Sequence, residues 1–507
     1  MSARRSESNT SNPTNRRSRT GTSATRRSQI WGGRVIDWSA LSEQQRAMLR
    51  RVAMPDYTAW ERQIRATGAC ANPIRVRGGR ITVDASTGEL LDAYHTDTEP
   101  LGYLLIPCGN RRAEVCPSCA EVYRYDAYQL IRAGLAGGKG VPESVALHPS
   151  LFVTLTAPSF GAVHAQHKET GKYGEPVRCR VRRDAPVCPH GVTMACNERH
   201  GQNDARVGQA LCFDCYDYIG AVLFNAYAGD LWRRLSIYFG RELAKAVGLS
   251  RAALKRVARV SFVKVAEYQA RGVVHFHAVV RIDGPDGPTT PPPDWATVDL
   301  VDTALRRAVA AVAIEVPDPY DQDRTRILRF GNRLDTQVIF ADTATAAEGL
   351  SVRAVAGYIA KYATKAAEKA GSTPRRIKRV SDVDYLRLPK HAVRMIRTCL
   401  ALAELPICEE MGLYRTAHML GYRGHCTTKS RRYSTTFGAL RSQRRAHREE
   451  QRRVRLGLPS LEGRQVILDT EWKFLRSGLS YGKRALVDAI RRAQRAQRTA
   501  AISDGAP

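Results

Sequence analysis

Two histidines flank a single phenylalanine inside an apolar stretch of the chain, "GVVHFHAVVR" at 272–281. Residues i and i+2 of an extended strand share one face, so His275 and His277 are predicted to present their imidazoles side by side. Burying two imidazoles is costly unless partners satisfy them, and a bound divalent metal would do so. A pair of structural histidines is the alternative, and the spacing favours the metal site.

The segment before the histidines offers a third ligand. Residues 256–288 are predicted to form two strands joined by a turn at 270–272, which would run Glu267 and Gln269 back alongside the histidines. Glu267 is the better ligand because it carries a charge, and Gln269 is the second choice. A salt bridge on the sheet surface is the alternative role for Glu267, and the register of the hairpin decides among these roles.

Two other kinds of His-x-His site fit the downstream residues poorly. A cupin-type oxygenase needs further ligands shortly after the pair, where this chain has the turn "RIDGPDGP". A metallo-hydrolase of the H-x-H-x-D-H kind is excluded locally, because Ala278 and Val279 follow the pair.

A second group of chemically capable residues lies in "AVAGYIAKYATKAAEKA" at 354–370, a predicted helix. Tyr358 and Tyr362 are four residues apart and therefore share one helical face, and Lys361 and Lys365 repeat that spacing one position further round. Such tyrosine pairs commonly serve packing. The small neighbouring residues and the two lysines instead favour a phosphate group approaching this helix.

The two groups suit one reaction. A tyrosine hydroxyl has a pKa near 10 and is a poor nucleophile at neutral pH. It attacks phosphorus when a divalent metal polarises the phosphoryl oxygens and a lysine offsets the developing charge. The expected product is a 5′-phosphotyrosyl ester with a free 3′-hydroxyl, which conserves the energy of the broken phosphodiester.

Cysteines are concentrated in the first half of the chain, with nine of the twelve between Cys70 and Cys215. "CPSC" at 116–119 and "CFDC" at 212–215 are C-x₂-C half-sites typical of structural zinc, and no thioredoxin-like pattern favours a redox role. The predicted zinc ligands are Cys70, Cys108, Cys116 and Cys119 in the first group, and Cys188, Cys196, Cys212 and Cys215 in the second, with His190 and His200 as further candidates.

The composition indicates a polyanionic partner. The 507 residues include 79 Lys and Arg against 49 Asp and Glu, a formal net charge of +30. Nucleic acid is the simplest partner for such a chain. No apolar run is long enough to span a membrane and no signal peptide is evident, so we expect a cytoplasmic protein without a membrane partner.

Several further elements must position these residues. A strand is predicted at 151–159, a long helix at 216–247, a short strand at 335–342 and a helix at 388–404. The Arg-rich stretch from 429 is predicted to be helical, either following DNA or lying solvated at the surface.

The order of three motifs resembles that of the His-hydrophobe-His (HUH) endonucleases that initiate rolling-circle replication. The first motif corresponds to "FVTLT" at 152–156, the second to "HFH" at 275–277, and the third to "YIAKYATK" at 358–365. More closely, residues 108–164, "CFDCYDYIGAVLFNAYAGDLWRR" and "GHCTTKSRRYSTT" resemble the RepSA-like replication initiators of actinobacterial conjugative plasmids and integrative elements. This resemblance covers most of 70–440.

The resemblance implies an α+β fold with an HUH endonuclease core, an antiparallel sheet flanked by helices, carrying inserted and N-terminal zinc-binding segments. It implies that His275 and His277, with Glu267 or Gln269, hold Mg²⁺ or Mn²⁺. Tyr362 matches the tyrosine of single-tyrosine relatives and is the first choice as nucleophile. The second is Tyr358, and Lys361 and Lys365 would contact the scissile phosphate or the metal.

The implied function is initiation of plasmid rolling-circle replication by nicking and religating single-stranded DNA through a 5′-phosphotyrosine intermediate. The implied partners are double-stranded origin DNA, the single-stranded nick site, and a host helicase and polymerase, since the chain has no G-x-x-x-x-G-K-[ST] loop. An HUH relaxase or transposase is one alternative. A non-enzymatic zinc-containing DNA-binding protein is the other.

The predicted domain organisation follows from these assignments. The segments are a disordered basic arm at 1–29, an N-terminal zinc-binding region at 30–148, an HUH nuclease core at 149–370 with a zinc-binding insertion near 179–215, a helical basic extension at 371–440, and a charged C-terminal helical tail at 441–507.

Overall fold

A computed structural model describes residues 28–31, 34–167, 177–201, 203–340, 350–364, 370–373 and 376–503. The predicted basic arm at 1–29 lies outside them apart from its last two residues. The chain divides into two units, one formed by Met1–Arg62 with Leu479–Pro507 and the other by Gln63–Gly478.

The helices are α1 (Glu43–Val52), α2 (Tyr57–Ala66), α3 (Pro117–Ala136), α4 (Tyr218–Ala246), α5 (Arg251–Val257), α6 (Val298–Ala311), α7 (Val352–Thr364), α8 (Lys390–Ala403), α9 (Leu413–Thr416), α10 (Phe437–Leu456) and α11 (Tyr481–Ser503). Among the described residues, no helix is both long enough and apolar enough to cross a membrane.

The strands are β1 (Ser28–Trp31), β2 (Arg34–Asp37), β3 (Ile74–Asp84), β4 (Leu90–His95), β5 (Leu104–Ile106), β6 (Ser150–Leu155), β7 (Arg259–Tyr268), β8 (Val274–Asp283), β9 (Ile314–Pro317), β10 (Thr325–Leu328), β11 (Leu334–Phe340), β12 (Leu350–Ser351), β13 (Thr427–Lys429) and β14 (Val466–Ser477). The mixture of helices with mainly antiparallel strands confirms the α+β class.

The smaller unit pairs β1 with β2 and packs α1 against α11. Helix α1 begins with a capping box, in which the Ser42 hydroxyl accepts from the Gln45 backbone and the Gln45 side chain accepts from the Ser42 backbone. The two helices approach closely at Gly482, where an added Cβ would lie 2.5 Å from the Cβ of Ala47. A glycine at this position therefore permits the helix packing.

The larger unit is built on a six-stranded sheet with the order β12-β11-β6-β8-β7-β13. Strand β8, which carries the two histidines, lies inside the sheet and is antiparallel to both of its neighbours, β6 and β7. Only the short pairing of β11 with β12 is parallel among the described strands of this sheet. Hydrogen bonds on both edges therefore hold β8 in place.

Helices cover both faces of this sheet, which explains why β8 is buried almost throughout. On one face, Phe276 and Val280 belong to a core that includes residues of α4 and α6. On the other face, Val279 packs with residues of α3 and α7, such as Ile131 and Ile359. His275 and His277 share this second face with Val279, because all three occupy alternate positions of β8.

A second sheet has the order β14-β3-β4, with β5 also paired to β3. Strand β14 lies within 441–507, where the sequence predicted a helical tail; the structure differs there by placing a strand between α10 and α11. Its β-branched and aromatic residues favour a strand, but its partner β3 is distant in the sequence, so the pairing leaves no local signal.

The Arg-rich helix α10 is fastened to the rest of this unit by ion pairs. Arg452 lies 3.0 Å from Asp92 of β4, and Arg444 lies 2.7 Å from Asp126 of α3. Its arginines are therefore only partly available to an external partner.

The far end of β8 contains a buried ion-pair network. The Arg281 guanidinium donates to both carboxylate oxygens of Asp283 at 2.6 and 2.8 Å. His148 lies 2.8 Å from Asp283, and the Ser261 hydroxyl donates to it at 2.5 Å. Neither Arg281 nor Asp283 is exposed to solvent, so each depends on the other for its charge balance.

We expect Asp283→Ala to lower the free energy of unfolding by about 3–5 kcal/mol, because it leaves a buried guanidinium unpaired. The matched control is Asp286→Ala, whose carboxylate pairs with Arg432 but is 68% exposed; its loss should cost less than about 1 kcal/mol. Urea denaturation followed by circular dichroism measures both. Equal effects of the two substitutions would contradict the proposed importance of the network.

The effect of Asp283 should also depend on pH. Burial alone raises the pKa of Asp283, but hydrogen bonds from His148 and Arg281 outweigh it, and the pKa lies below its ordinary value. Such a carboxylate stabilises the fold above its unfolded-state pKa of about 3.9 and loses this contribution as the pH falls through its folded-state pKa. The stability difference between wild type and Asp283→Ala should therefore shrink below pH 4.

Candidate metal and tyrosine site

The hairpin register brings a carboxylate to the two histidines. Glu267 of β7 lies directly opposite His275 of β8, and Val265 lies opposite His277. One carboxylate oxygen of Glu267 lies 3.0 Å from the Nε2 atom of His275 and 3.1 Å from that of His277. The three side chains thus converge on one point of the sheet face that packs against α7.

These separations suit a shared divalent ion. At bond lengths of about 2.1 Å, adjacent ligand atoms of an octahedral ion lie about 3.0 Å apart. The Nε2 and carboxylate atoms of Glu267, His275 and His277 all lie within 4.8 Å of one another. Two imidazoles and one carboxylate leave the remaining coordination positions for substrate or water.

A neighbouring strand orients one of the imidazoles. Thr154 of β6 lies opposite His277 in the sheet, and its hydroxyl oxygen is 3.1 Å from the His277 Nδ1 atom. This contact directs the Nε2 atom of His277 towards Glu267, as expected for a metal ligand supported by a second hydrogen bond. The Nδ1 atom of His275 is buried and has no hydrogen-bond partner among the described residues.

The other candidate for the third ligand is engaged elsewhere. The carboxamide oxygen of Gln269 accepts a hydrogen bond from the Arg271 side chain at 2.9 Å, and the Gln269 backbone N–H donates to the carbonyl of Val273. Gln269 thus contributes to the turn, whereas Glu267 lies between the histidines.

Helix α7 places both predicted tyrosines against this cluster. The Tyr358 hydroxyl is 3.5 Å from the Nε2 atom of His277, and the rings of Tyr362 and His277 have centroids 5.4 Å apart. The two tyrosine rings are 4.5 Å apart, and Phe152 contacts Tyr358 edge to face. Residues from three separate regions of the chain therefore form one site.

The hydroxyl groups of the site have distinct surroundings. Burial, and next the neighbouring Tyr362 hydroxyl, raise the pKa of Tyr358 above its ordinary value. The Nζ atom of Lys361 is 6.0 Å from the centre of the Tyr362 ring. Lys365, the other predicted lysine, lies outside the described residues.

The site combines buried ligands with an accessible tyrosine. The side chains of His275, Glu267 and His277 are 15%, 11% and 5% exposed, whereas Tyr358 is 39% exposed. Tyr358 is therefore more accessible to a large substrate than the three candidate ligands, whereas Tyr362 is partly buried.

The first predicted cysteine group forms a compact cluster. The sulfur atom of Cys70 lies 3.7 Å from those of Cys116 and Cys119, and the sulfur of Cys108 lies 3.7 Å from that of Cys119. A tetrahedron with zinc–sulfur bonds of about 2.3 Å has edges of about 3.8 Å. The four thiols therefore fit a zinc ion, with Cys116 and Cys119 at the start of α3.

The second predicted group is divided between two clusters. Cys188, Cys212 and Cys215 lie together with His190, whereas Cys196 lies with His164, Cys179 and His200. Cys179 and His164 were not among the predicted ligands; Cys179 belongs to the group of nine cysteines, and His164 carries no spacing signal. The other three cysteines are placed differently, since Cys399 and Cys408 are buried in the core and Cys426 is partly buried.

Comparison with known proteins supports a single family. The RepSA family, described as "Replication initiator protein, pSAM2", matches residues 56–492. The chain belongs to the RepSA family. A replication initiator protein of Streptomyces ambofaciens is 45% identical over 451 residues, which cover 88% of this chain and 92% of the relative. No solved structure matches the chain.

We expect this RepSA-family protein to bind Mn²⁺ at the cluster and Glu267→Ala to weaken that binding at least about tenfold, because it removes the charged ligand. Binding should be weaker at pH 5.5 than at 7.5, since protons compete with the metal ion for the imidazole nitrogens. Electron paramagnetic resonance of free Mn²⁺ measures the affinity.

The matched controls are Gln269→Ala and His447→Ala. Gln269 is engaged by Arg271, and His447 is an exposed residue of α10. Neither substitution should change Mn²⁺ affinity. Loss of binding in Gln269→Ala with retention in Glu267→Ala would assign the third ligand to Gln269 instead.

Proposed function

We propose that the protein initiates plasmid rolling-circle replication by cutting one DNA strand with a tyrosine and later rejoining it. The observation that carries this proposal is the contact between the tyrosine pair of α7 and the Glu267–His275–His277 cluster. A pair of tyrosines that served only packing would not require three potential metal ligands beside it. Membership of a replication initiator family gives independent support.

The proposed reaction exchanges one phosphodiester for another. The tyrosine oxygen forms a bond to the phosphorus while the bond from phosphorus to the 3′-oxygen breaks. The proton of the tyrosine hydroxyl is passed, through solvent, to the departing 3′-oxygen. The products are a 5′-phosphotyrosyl ester and a free 3′-hydroxyl, and the reverse reaction rejoins the strand without ATP.

The residues of the cluster fit a hard divalent ion, Mg²⁺ or Mn²⁺. Such an ion would polarise the phosphoryl oxygens and offset their developing charge. Glu267 and the two histidines would hold it, and Thr154 would keep the imidazole of His277 in place. Imidazole ligands also bind softer metals tightly, so the ion used in cells depends on availability.

We propose Tyr362 as the first nucleophile and Tyr358 as the second. This order rests on the resemblance to HUH initiators, in which Tyr362 matches the tyrosine of single-tyrosine relatives. Lys361 lies on the same helix beside Tyr362, and we propose that it and Lys365 neutralise the scissile phosphate.

The arrangement of the sheet supports an HUH-type core. The first motif lies on β6, the second on the adjacent strand β8, and the third on α7, which covers the face that carries the histidines. We propose 149–370 as this core with a zinc-binding insertion near 179–215, 30–148 as the N-terminal zinc-binding region and 371–440 as a helical basic extension. The predicted helical tail at 441–507 instead contains β14, which pairs with β3.

The proposed partners follow from charge and chemistry. A net charge of +30 supports binding to the double-stranded origin, and the exposed Tyr358 supports cutting of a single strand. The free 3′-hydroxyl would be extended by a host polymerase, and a host helicase would separate the strands in the cytoplasm.

The test incubates the protein with a labelled single-stranded origin oligonucleotide and Mn²⁺. We expect a protein–DNA adduct that survives SDS. Tyr362→Phe should abolish the first cleavage, because phenylalanine retains the ring and lacks the attacking oxygen. Tyr385→Phe is the matched control, because Tyr385 is 86% exposed and distant in sequence from the motif.

The same experiment distinguishes the alternatives. Tyr358→Phe with normal first cleavage and defective second transfer supports two nucleophiles used in order. Absence of an adduct from folded wild type, on several candidate origins and with DNA binding retained, would instead favour a non-enzymatic zinc-containing DNA-binding protein. Cleavage confined to transfer-origin or transposon-end sequences would favour a relaxase or a transposase.

A further inference from the structure

Eight cysteines and histidines between α3 and α4 divide into two clusters that alternate along the chain. In chain order they form four pairs: His164 with Cys179, Cys188 with His190, Cys196 with His200, and Cys212 with Cys215. The first and third pairs form one cluster, and the second and fourth form the other. The chain therefore enters each cluster twice and passes through the other cluster in between.

The cluster of the first and third pairs has the dimensions of a zinc site. His164 Nδ1 lies 3.1 Å from His200 Nε2, and the sulfur of Cys196 lies 3.5 Å from that same Nε2 atom. In a tetrahedral zinc site, nitrogen and sulfur ligand atoms lie about 3.3–3.6 Å apart. Cys179, Cys196 and His200 are all buried. A buried imidazole is costly unless its ring nitrogens have partners, so the burial of His200 favours a ligand role.

A second contact marks His200 as a ligand. Its other ring nitrogen, Nδ1, lies 2.7 Å from a carboxylate oxygen of Asp204. The Arg206 guanidinium donates to that oxygen at 2.9 Å and holds the carboxylate in place. Zinc-bound histidines commonly carry such a carboxylate on the nitrogen that does not bind metal. The Cys179 sulfur likewise accepts a backbone hydrogen bond from Ala165 at 3.2 Å.

The cluster of the second and fourth pairs is similarly compact. His190 Nδ1 lies 3.2 Å from the sulfur of Cys215 and 3.7 Å from that of Cys212. Cys188 completes a set of three thiols and one imidazole, whose ligand atoms all lie within 4.8 Å of one another. All four residues were candidates in the sequence, which grouped them with Cys196 and His200 instead of separating the two clusters.

We propose that the segment from His164 to Cys215 is one module that holds two zinc ions in interleaved sites. Together with the four-cysteine site at Cys70, the chain would bind three zinc ions. The three sites then use four, three and two cysteines and account for all nine of the clustered cysteines. The segment that connects the two ligand pairs of each site carries a ligand pair of the other site. The module therefore folds only when both sites hold zinc.

The module is seated against the hairpin that carries the metal ligands of the tyrosine site. Gly208 lies so close to the hairpin turn that a Cβ added there would be 2.3 Å from the backbone carbon of Ala270. Next to Ala270, the Arg271 guanidinium donates to the carbonyls of Ala157 and Pro158, where the chain leaves β6 and leads into the module. The module thus braces this turn from one side.

The test on wild type is zinc content together with X-ray absorption at the zinc edge. After dialysis against a weak chelator, we expect three zinc ions per chain. Nine thiolates and three imidazoles shared among them give a mean shell of three sulfurs and one nitrogen per zinc. Two zinc ions with a mean of three and a half sulfurs would overturn the His164–Cys179–Cys196–His200 site.

Variants test the interleaving. Cys179→Ser/Cys196→Ser should reduce the content from three zinc ions to one, because both interleaved sites fail together, while the zinc of the Cys70 site remains as an internal standard for folded protein. Cys116→Ser should lose only one ion, and Cys399→Ser, a buried non-ligand, should keep three. Retention of two or three ions by the double variant would contradict the interleaved module.

Discussion

The site depends on the register of one hairpin. Because Glu267 lies opposite His275, one carboxylate oxygen reaches both imidazoles of β8, and a slip of one residue would turn Glu267 to the opposite face of the sheet. Burial on both faces of the sheet fixes this register. A slip would also move Val263 and Val265 away from α3 and α7, with which they pack, to the opposite face of the sheet. These apolar residues thus keep Glu267 opposite His275 by preventing that slip.

Much of the fold could be predicted from local patterns. The strand at 151–159 appears as Ser150–Leu155, the helix at 216–247 as Tyr218–Ala246, and both strands of the hairpin at 256–288 are present. The C-terminal strand was not predicted, because its pairing with β3 joins distant parts of the chain and the surrounding arginines suggested only helix. Local periodicity indicates an element, whereas its partner is set by tertiary packing.

The sequence indicated which residues belong to the candidate site better than it indicated how they are arranged in space. The spacing of His275 with His277 and of Tyr358 with Tyr362 indicated two chemically capable faces, and the structure brings these faces together. The grouping of the clustered cysteines and histidines was less evident. Cys196 lies near the second C-x₂-C pair in sequence but joins a different cluster in space, because clusters that alternate along the chain leave no signal in the order of their members.

Anomalous diffraction at the manganese edge from crystals soaked in Mn²⁺ tests the central claim most directly. The account predicts one strong peak at bonding distance from Glu267, His275 and His277, with the Tyr358 and Tyr362 hydroxyl groups facing its open side. A fully soaked crystal in which this position shows no peak, while the carboxylate keeps its hydrogen bonds to both imidazoles, would contradict it.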